Sequence, residues 1–194
     1  ISACLVGSEM CIRDRCTKVD EDIIICINST TSYGRQCFTL AYELYHILYE
    51  TIDGRVVCDM YMGDDKTDSE KEADMFAGYL LMPYDTLFQY AKKFDGWTLN
   101  KIIDLEQLYM ISHMALLFRL EKDGFVSANS MSPFKDIKIS REAAKLGYGK
   151  ELYLPSLEGK QYFTTGEYVR KVEKLSEMGL ISEGKKEELL LDVF

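Results

Sequence analysis

Alternating apolar and polar stretches divide the first third of the chain into a strand, a helix and a second strand. Residues 23–28 are rich in isoleucine and bounded by polar residues, which is typical of a β-strand. The helical spacing of apolar residues predicts a helix over residues 35–50. A turn at Asp53-Gly54 then leads into a second predicted strand at residues 55–60.

The rest of the chain has mainly the periodicity of amphipathic helices. Pro83 ends a helix that contains Glu70, and Gly179 is expected to close the last long helix as a C-cap. Residues 125–160 are predicted to be mostly irregular, since they contain Pro133 and Pro155. Further helices are predicted at residues 85–93, 99–109, 112–120, 165–178 and 182–191. Together these elements indicate an α+β fold.

Candidate chemistry lies in the helix at residues 35–50. The run Tyr42-Glu43-Leu44-Tyr45-His46 departs at one position from the zinc-peptidase pattern His-Glu-x-x-His. Side chains four residues apart share a helix face, so two histidines at positions 42 and 46 would bind one Zn²⁺. The intervening glutamate would hold and deprotonate the metal-bound water. Glu43 and His46 are in place, but Tyr42 occupies the first histidine position.

A carboxylate that would complete such a site follows in residues 70–83. Glu70 and Asp74 are four residues apart and share one helix face, opposite an apolar face. Glu70 is the candidate third ligand, and Asp74 is a candidate to brace a metal-bound histidine. Either residue alone would more often belong to a solvated helix face. Their order after the first motif favours a site.

These stretches resemble the ImmA/IrrE family of zinc-dependent metallo-endopeptidases. The resemblance rests on residues 25–29, 34–41 and 70–83, with support from residues 109–120, 146–148 and 181–191. It implies a zincin-like metallopeptidase core with a small sheet and a catalytic helix, followed by a mostly helical C-terminal region. It also implies that Glu43 is the catalytic glutamate and that His46 and Glu70 are metal ligands. No histidine role passes to Tyr42.

Tyr42 determines what the resemblance implies for activity. A neutral phenol, with an ordinary pKa of about 10, is a poor ligand, although a bound dication favours the phenolate. Without Tyr42, His46 and Glu70 leave two protein ligands, whereas catalytic zinc sites normally use three and a water. The chain's other histidine, His113, lies outside the family's ligand positions and is expected to be a partly exposed helix residue. The implied cofactor is therefore Zn²⁺, in a site that is weakened or lost.

Composition and charge argue against two other classes of protein, membrane-spanning proteins and nucleic-acid-binding proteins. The chain is 47% hydrophobic and 28% charged, which is ordinary for a globular protein, and no apolar run is long enough to span a membrane. The net charge of −9 argues against direct binding to nucleic acid. Scattered cysteines suit buried thiols in a reducing cytoplasm better than a disulfide framework. We expect a cytoplasmic protein.

The start of the chain is predicted to be non-native. Residues 5–15 match an in-frame translation of a transposase-type sequencing adapter, and they lack the basic start and long apolar core of a secretory signal. The remaining length fits either one compact domain or a domain with a small appendage. The predicted divisions are an adapter-derived segment at 1–15, a metallopeptidase-like core at 16–95, a helix-turn-helix-like segment at 96–125 and a C-terminal extension at 126–194.

Three functional hypotheses follow. The first is a zinc-dependent endopeptidase whose substrate, as the resemblance implies, is a helix-turn-helix repressor in mobile-element or stress regulation. The second is an inactive pseudo-peptidase that binds a regulator protein without cleaving it. The third is a sequence-level change at Tyr42 in an otherwise competent enzyme. The sequence leaves these alternatives open.

Overall fold

The structure, a computed structural model, describes residues 2–6, 15–19, 22–50, 55–57, 67–93, 95–157, 159, 163–164 and 167–191. The chain divides into two compact units. The first comprises Ile1–Thr30, His46–Asp65 and Ser156–Phe194, and the second comprises Thr31–Tyr45 and Lys66–Pro155. The domain boundaries expected from the sequence remain a prediction.

A five-stranded sheet forms part of the first unit. Its strands are β1 (Ser2–Val6), β2 (Arg15–Val19), β3 (Asp22–Asn28), β4 (Arg55–Val57) and β5 (Phe163–Thr164), in the spatial order β4-β2-β3-β1-β5. The predicted isoleucine-rich strand lies within β3, which pairs parallel with β1 and antiparallel with β2. Of the second predicted strand, residues 58–60 lie outside the described residues.

Alternate residues of β3 form the small apolar cluster of this unit. Ile25 and Ile27 are buried and pack with Ile23 and with Ile47. Because side chains alternate between the two faces of a strand, residues 23, 25 and 27 point the same way. Ile47 belongs to the C-terminal part of α1 (Tyr33–Tyr49), so this end of the helix packs on β3.

The first unit ends in two short helices, α8 (Tyr168–Glu177) and α9 (Glu183–Leu191). Gly179 lies between them with φ of 67°, in the left-handed region. The amide of Leu180 donates to the carbonyl of Leu175, and that of Gly179 donates to Ser176. This is the Schellman arrangement that favours glycine, so the predicted C-cap at Gly179 is confirmed.

The second unit is helical. Besides residues 33–45 of α1 it contains α2 (Asp68–Leu81), α3 (Tyr84–Lys93), α4 (Leu99–Tyr109), α5 (His113–Lys122), α6 (Ala128–Lys135), α7 (Ile139–Lys145) and a 3₁₀ turn at Glu151–Tyr153. The core is drawn from α3 to α6 and the adjoining loops, and comprises Met82, Leu87, Ile102, Leu105, Ile111, Leu116, Leu117, Leu120 and Met131. This core holds α2 to α6 in place.

Residues 125–160 are not mostly irregular, so that prediction was wrong. They contain α6 and α7, although Pro133 lies inside α6 and removes one backbone donor. The side chain of Ser127 caps α6 by accepting from the amide of Ser130, and Met131 is fully buried in the core. Tertiary burial therefore outweighs the local helix-breaking signal.

The fold class is established at a coarse level. The described part is mostly helical and compatible with a metallopeptidase-like domain, whereas the zincin-like core remains a prediction. Among the helices in the described ranges, none combines the length and the apolar character needed to cross a bilayer.

Candidate active site

The central motif lies on one uninterrupted helix, α1. Glu43 is 0% exposed and Tyr42 is 1% exposed, and His46 is also buried. Glu43 and His46 are three residues apart, and Tyr42 and His46 are four apart, so each pair shares a side of the helix. Helical spacing therefore brings these three side chains together, and folding removes them from bulk water.

A buried polar stripe extends this side of α1 towards its N-terminus. Gln36, Thr39, Glu43 and His46 follow one another at spacings of three or four residues, and all four are buried. The side chain of Gln36 donates to the carbonyl of Thr31 at 2.8 Å. Buried helix faces are usually apolar, since an unmet polar group is costly to bury. The stripe is therefore typical of a functional site. The sequence reasoning missed Gln36 and Thr39, which their spacing from Glu43 would have revealed.

Two atoms of this stripe suit a metal and its bound water. Glu43 Oε1 and His46 Nε2 are buried and have no hydrogen-bond partner among the described residues. Both side chains take part in other interactions. An imidazole nitrogen and a carboxylate oxygen are the groups by which a zinc peptidase holds its metal and activates its water. At these two positions, the residues present fit zinc.

His46 also has a partner that the sequence reasoning did not name. Its Nδ1 atom lies 2.7 Å from Oε2 of Glu50, one helical turn further on. The side chain of Glu50 is 34% exposed, whereas that of His46 is 6% exposed. The spacing of four residues between a histidine and a glutamate was the available signal.

Glu70, the predicted third ligand, has a structural task at the start of α2. Its carboxylate accepts from the backbone amide of Thr67 at 2.6 Å and from the Thr67 hydroxyl at 2.9 Å. The Thr67 side chain in turn accepts from the Glu70 amide, which completes a capping box. Asp74, the predicted brace, is half-buried one turn later in α2. Helix capping is therefore sufficient to explain Glu70.

A complete metal centre is not assembled in the part of the chain that the structure describes. There, no group of three or more His, Cys, Asp or Glu side chains is arranged to hold a metal ion. On α1, burial raises the pKa of the Cys37 thiol, and its hydrogen bond with Tyr33 opposes this shift to a smaller extent.

Tyr45 joins α1 to α2. Its hydroxyl donates to Oε2 of Glu72 at 2.5 Å, and its ring lies 5.8 Å from the ring of Phe76. By their helical spacing alone, Tyr42, Tyr45 and Tyr49 would all be expected to line the core or a cleft. Tyr42 is buried, but Tyr49 is 65% exposed. The tyrosines therefore have separate roles, and Tyr45 fixes the helix that carries Glu70.

Arg119 holds the other end of α2. Its guanidinium donates to the carbonyls of Gly78 and Met82, pairs with Asp123 at 2.8 Å and lies over the ring of Tyr79. A Cβ atom on Gly78 would lie 3.1 Å from Arg119 Cδ, so the glycine makes room for this side chain. The arginine satisfies the Met82 carbonyl at the helix end and is a second donor to the Gly78 carbonyl, which also accepts from the Met82 amide. Arg119 thus holds the end of α2 against α5.

His113 is not partly exposed, and that expectation was wrong. It is buried, with Nδ1 at 2.5 Å from Glu106 Oε1 and Nε2 at 2.8 Å from the carbonyl oxygen of Phe134. Tyr153 donates to the other oxygen of Glu106 at 2.7 Å. Burial opposes the charge on His113, but its hydrogen bond with Glu106, the charge of Glu106 and the Phe134 carbonyl raise its pKa. Both ring nitrogens are engaged, so His113 does not replace the missing ligand.

Comparison with known families identifies a match over this part of the chain. Residues 10–121 match the family model Peptidase M78, described as the IrrE N-terminal-like domain. The match covers more than half of the chain and includes α1 to α4 and nearly all of α5. No curated protein and no solved structure matches the chain.

Proposed function

Because the chain belongs to the Peptidase M78 family, the ImmA/IrrE family, we propose that it is a zinc-dependent endopeptidase acting on a helix-turn-helix repressor. The observation that carries the proposal is the burial of Glu43 and His46 on one side of α1, within the matched residues. The family is typically zinc-dependent, and the repressor substrate follows from the sequence resemblance. Such a role would place the protein in the cytoplasm, in mobile-element or stress regulation.

Each site residue has a defined task in this proposal. His46 would bind zinc through Nε2, and zinc bound there would polarise the scissile carbonyl. Glu43 would take a proton from the attacking water and deliver it to the leaving amine. Burial of Glu43 keeps this carboxylate in a low-dielectric setting, where its interactions with charge are stronger. Glu70 and Tyr42 are the remaining candidate ligands.

A second candidate is a pseudo-peptidase that binds the regulator without cleaving it. Two observations favour it. Tyr42 is fully buried at the position where the family's motif has a histidine, and the Glu70 carboxylate is used in the capping box of α2. A protein of this kind would keep the fold and the binding surface without a stable metal.

Metal binding separates the two candidates. We would measure zinc affinity and stoichiometry in the natural chain and in the Tyr42→His variant, with Phe118→His as the control. Phe118 is exposed on α5, so this control adds a histidine away from the motif. We expect Tyr42→His to bind one zinc ion more tightly than the natural chain, whereas Phe118→His should not. Failure of both the natural chain and Tyr42→His to bind zinc would overturn the endopeptidase proposal.

Cleavage is then assayed on a helix-turn-helix repressor, the substrate class that the family resemblance implies. We expect chelator-sensitive cleavage by Tyr42→His, and we expect Glu43→Gln in that background to retain zinc and lose about 10²–10⁴-fold in rate. A zinc-bound Tyr42→His protein that binds the repressor and leaves it intact would support the pseudo-peptidase instead. Cleavage that survives Glu43→Gln would remove the assigned role of Glu43.

A further inference from the structure

We infer that Glu50 is a positioning residue for His46: its carboxylate keeps the imidazole proton on Nδ1 and so presents the lone pair of Nε2. The inference concerns the metal-binding side of the proposed function, and only the identity of the metal rests on that proposal. The tautomer itself is a property of the metal-free protein.

The contact between the two side chains determines where the proton lies. His46 Nδ1 and Glu50 Oε2 are 2.7 Å apart, a hydrogen-bonding distance. An ionised carboxylate only accepts hydrogen bonds, so Nδ1 must be the donor. In a neutral imidazole the other nitrogen, Nε2, then carries a lone pair instead of a proton. Metal-binding histidines are commonly oriented in this way by a carboxylate on the second nitrogen.

Helix stability does not account for a glutamate at this position. Glu50 directly follows the last residue of α1, and a negative charge at a helix C-terminus is disfavoured by the helix dipole. The backbone amide of Glu50 donates to the carbonyl of His46 at 3.0 Å, which continues the helical pattern by one residue. This continuation sets the carboxylate beside the imidazole. The pairing with His46 therefore supplies a reason for Glu50 that capping does not.

The other histidine provides an internal comparison. Both neighbours of His113 are acceptors, namely the Glu106 carboxylate at Nδ1 and the Phe134 carbonyl at Nε2. When it is protonated, His113 can therefore donate from both nitrogens, and these contacts raise its pKa. The chain contains only these two histidines. The two rings have different hydrogen-bond partners, so substitutions at Glu50 should change the signals of one ring and leave those of the other unchanged.

The test is ¹⁵N NMR of histidine-labelled, metal-free protein at about pH 8.5, roughly two units above the ordinary histidine pKa. We expect His46 to show the Nδ1–H tautomer. The Glu50→Ala variant should populate the Nε2–H tautomer at His46, and Glu50→Gln should restore Nδ1–H because its amide oxygen still accepts. Glu142→Ala is the matched control: Glu142 is similarly exposed at 30%, and it pairs with Lys145 on α7. This control should leave the His46 signals unchanged.

Zinc titration gives the second measurement, in the natural chain and in Tyr42→His. Glu50→Ala should weaken zinc binding about 10–100-fold, and Glu50→Gln should weaken it less. An Nε2–H tautomer in the natural protein, or a tautomer that Glu50→Ala leaves unchanged, would overturn the inference. If the tautomer responds as expected while neither the natural chain nor Tyr42→His binds zinc, the positioning role stands and the endopeptidase proposal fails.

Discussion

Replacing His113 with leucine would remove one partner of a buried ion pair and leave the Glu106 carboxylate, which is 0% exposed, facing an apolar side chain. Breaking a buried pair in this way typically costs about 3–5 kcal/mol of unfolding free energy, since the remaining charge stays buried. The Tyr153 hydroxyl still donates to the second oxygen of Glu106. We therefore expect the unfolding free energy to decrease by about 3 kcal/mol, at the lower end of that range.

Urea unfolding of the natural chain and of His113→Leu, both at about pH 6, measures this loss; the pH lies below the ordinary histidine pKa. Lys145→Ala is the control, because it breaks the exposed Lys145–Glu142 pair and should cost less than about 1 kcal/mol. The double variant His113→Leu with Glu106→Leu removes both charges and should be less destabilised than the single variant. A loss below about 1 kcal/mol in His113→Leu would refute the reasoning, because leaving a buried charge without its partner should lower the unfolding free energy by more than that.

The pH dependence of the natural chain follows from the raised pKa of His113. A histidine whose pKa is higher in the folded state binds its proton more tightly there than in the unfolded chain. The stabilisation is complete below the unfolded value of about 6.5 and is lost as the pH rises through the folded value. We expect the unfolding free energy to fall over this range. The double variant lacks both groups, so it should not show the decrease in unfolding free energy that comes from His113.

Two further predictions concern α2. Glu70→Gln keeps the capping box with Thr67, so the unfolding free energy should change by less than about 0.5 kcal/mol. If Glu70 is also a metal ligand, the same change in the Tyr42→His background should lower zinc affinity, and an unaltered affinity would exclude that role. Arg119→Lys keeps the charge but loses the planar group that reaches Gly78 and Met82, so we expect a loss of about 2 kcal/mol in thermal unfolding. An unchanged Tm would show that these contacts contribute little.

Several parts of the structure could be predicted because they depend on neighbours along the chain. The helix carrying Glu43 and His46 was expected at residues 35–50 and runs from Tyr33 to Tyr49. The ends of α2 and α8 were also expected, since a proline or a left-handed glycine acts within one turn. Helix positions and helix ends of this kind can be predicted from a single sequence.

Contacts between distant segments were not predictable in the same way. His113 was predicted to be partly exposed, but in the structure it is buried and contacts Glu106. Tyr153, which is far from Glu106 in the chain, donates to the same carboxylate. The helices α6 and α7 were missed because the burial of Met131 and Ala143, which no local pattern reveals, outweighs the signal of Pro133. Glu70 was assigned to a metal from its spacing, but Thr67 provides a second use for its carboxylate.

The sequence by itself determined the family, the helix of the candidate site and the residue that departs from the motif. Those follow from spacing and residue type, because an α-helix fixes which side chains share a face. Only the tertiary structure decided which of these groups are buried and which partners they have. Glu43 and His46 become a candidate site because folding removes them from water, and Tyr42 is buried beside them. Burial depends on all the segments that pack around a residue, so no local pattern contains it.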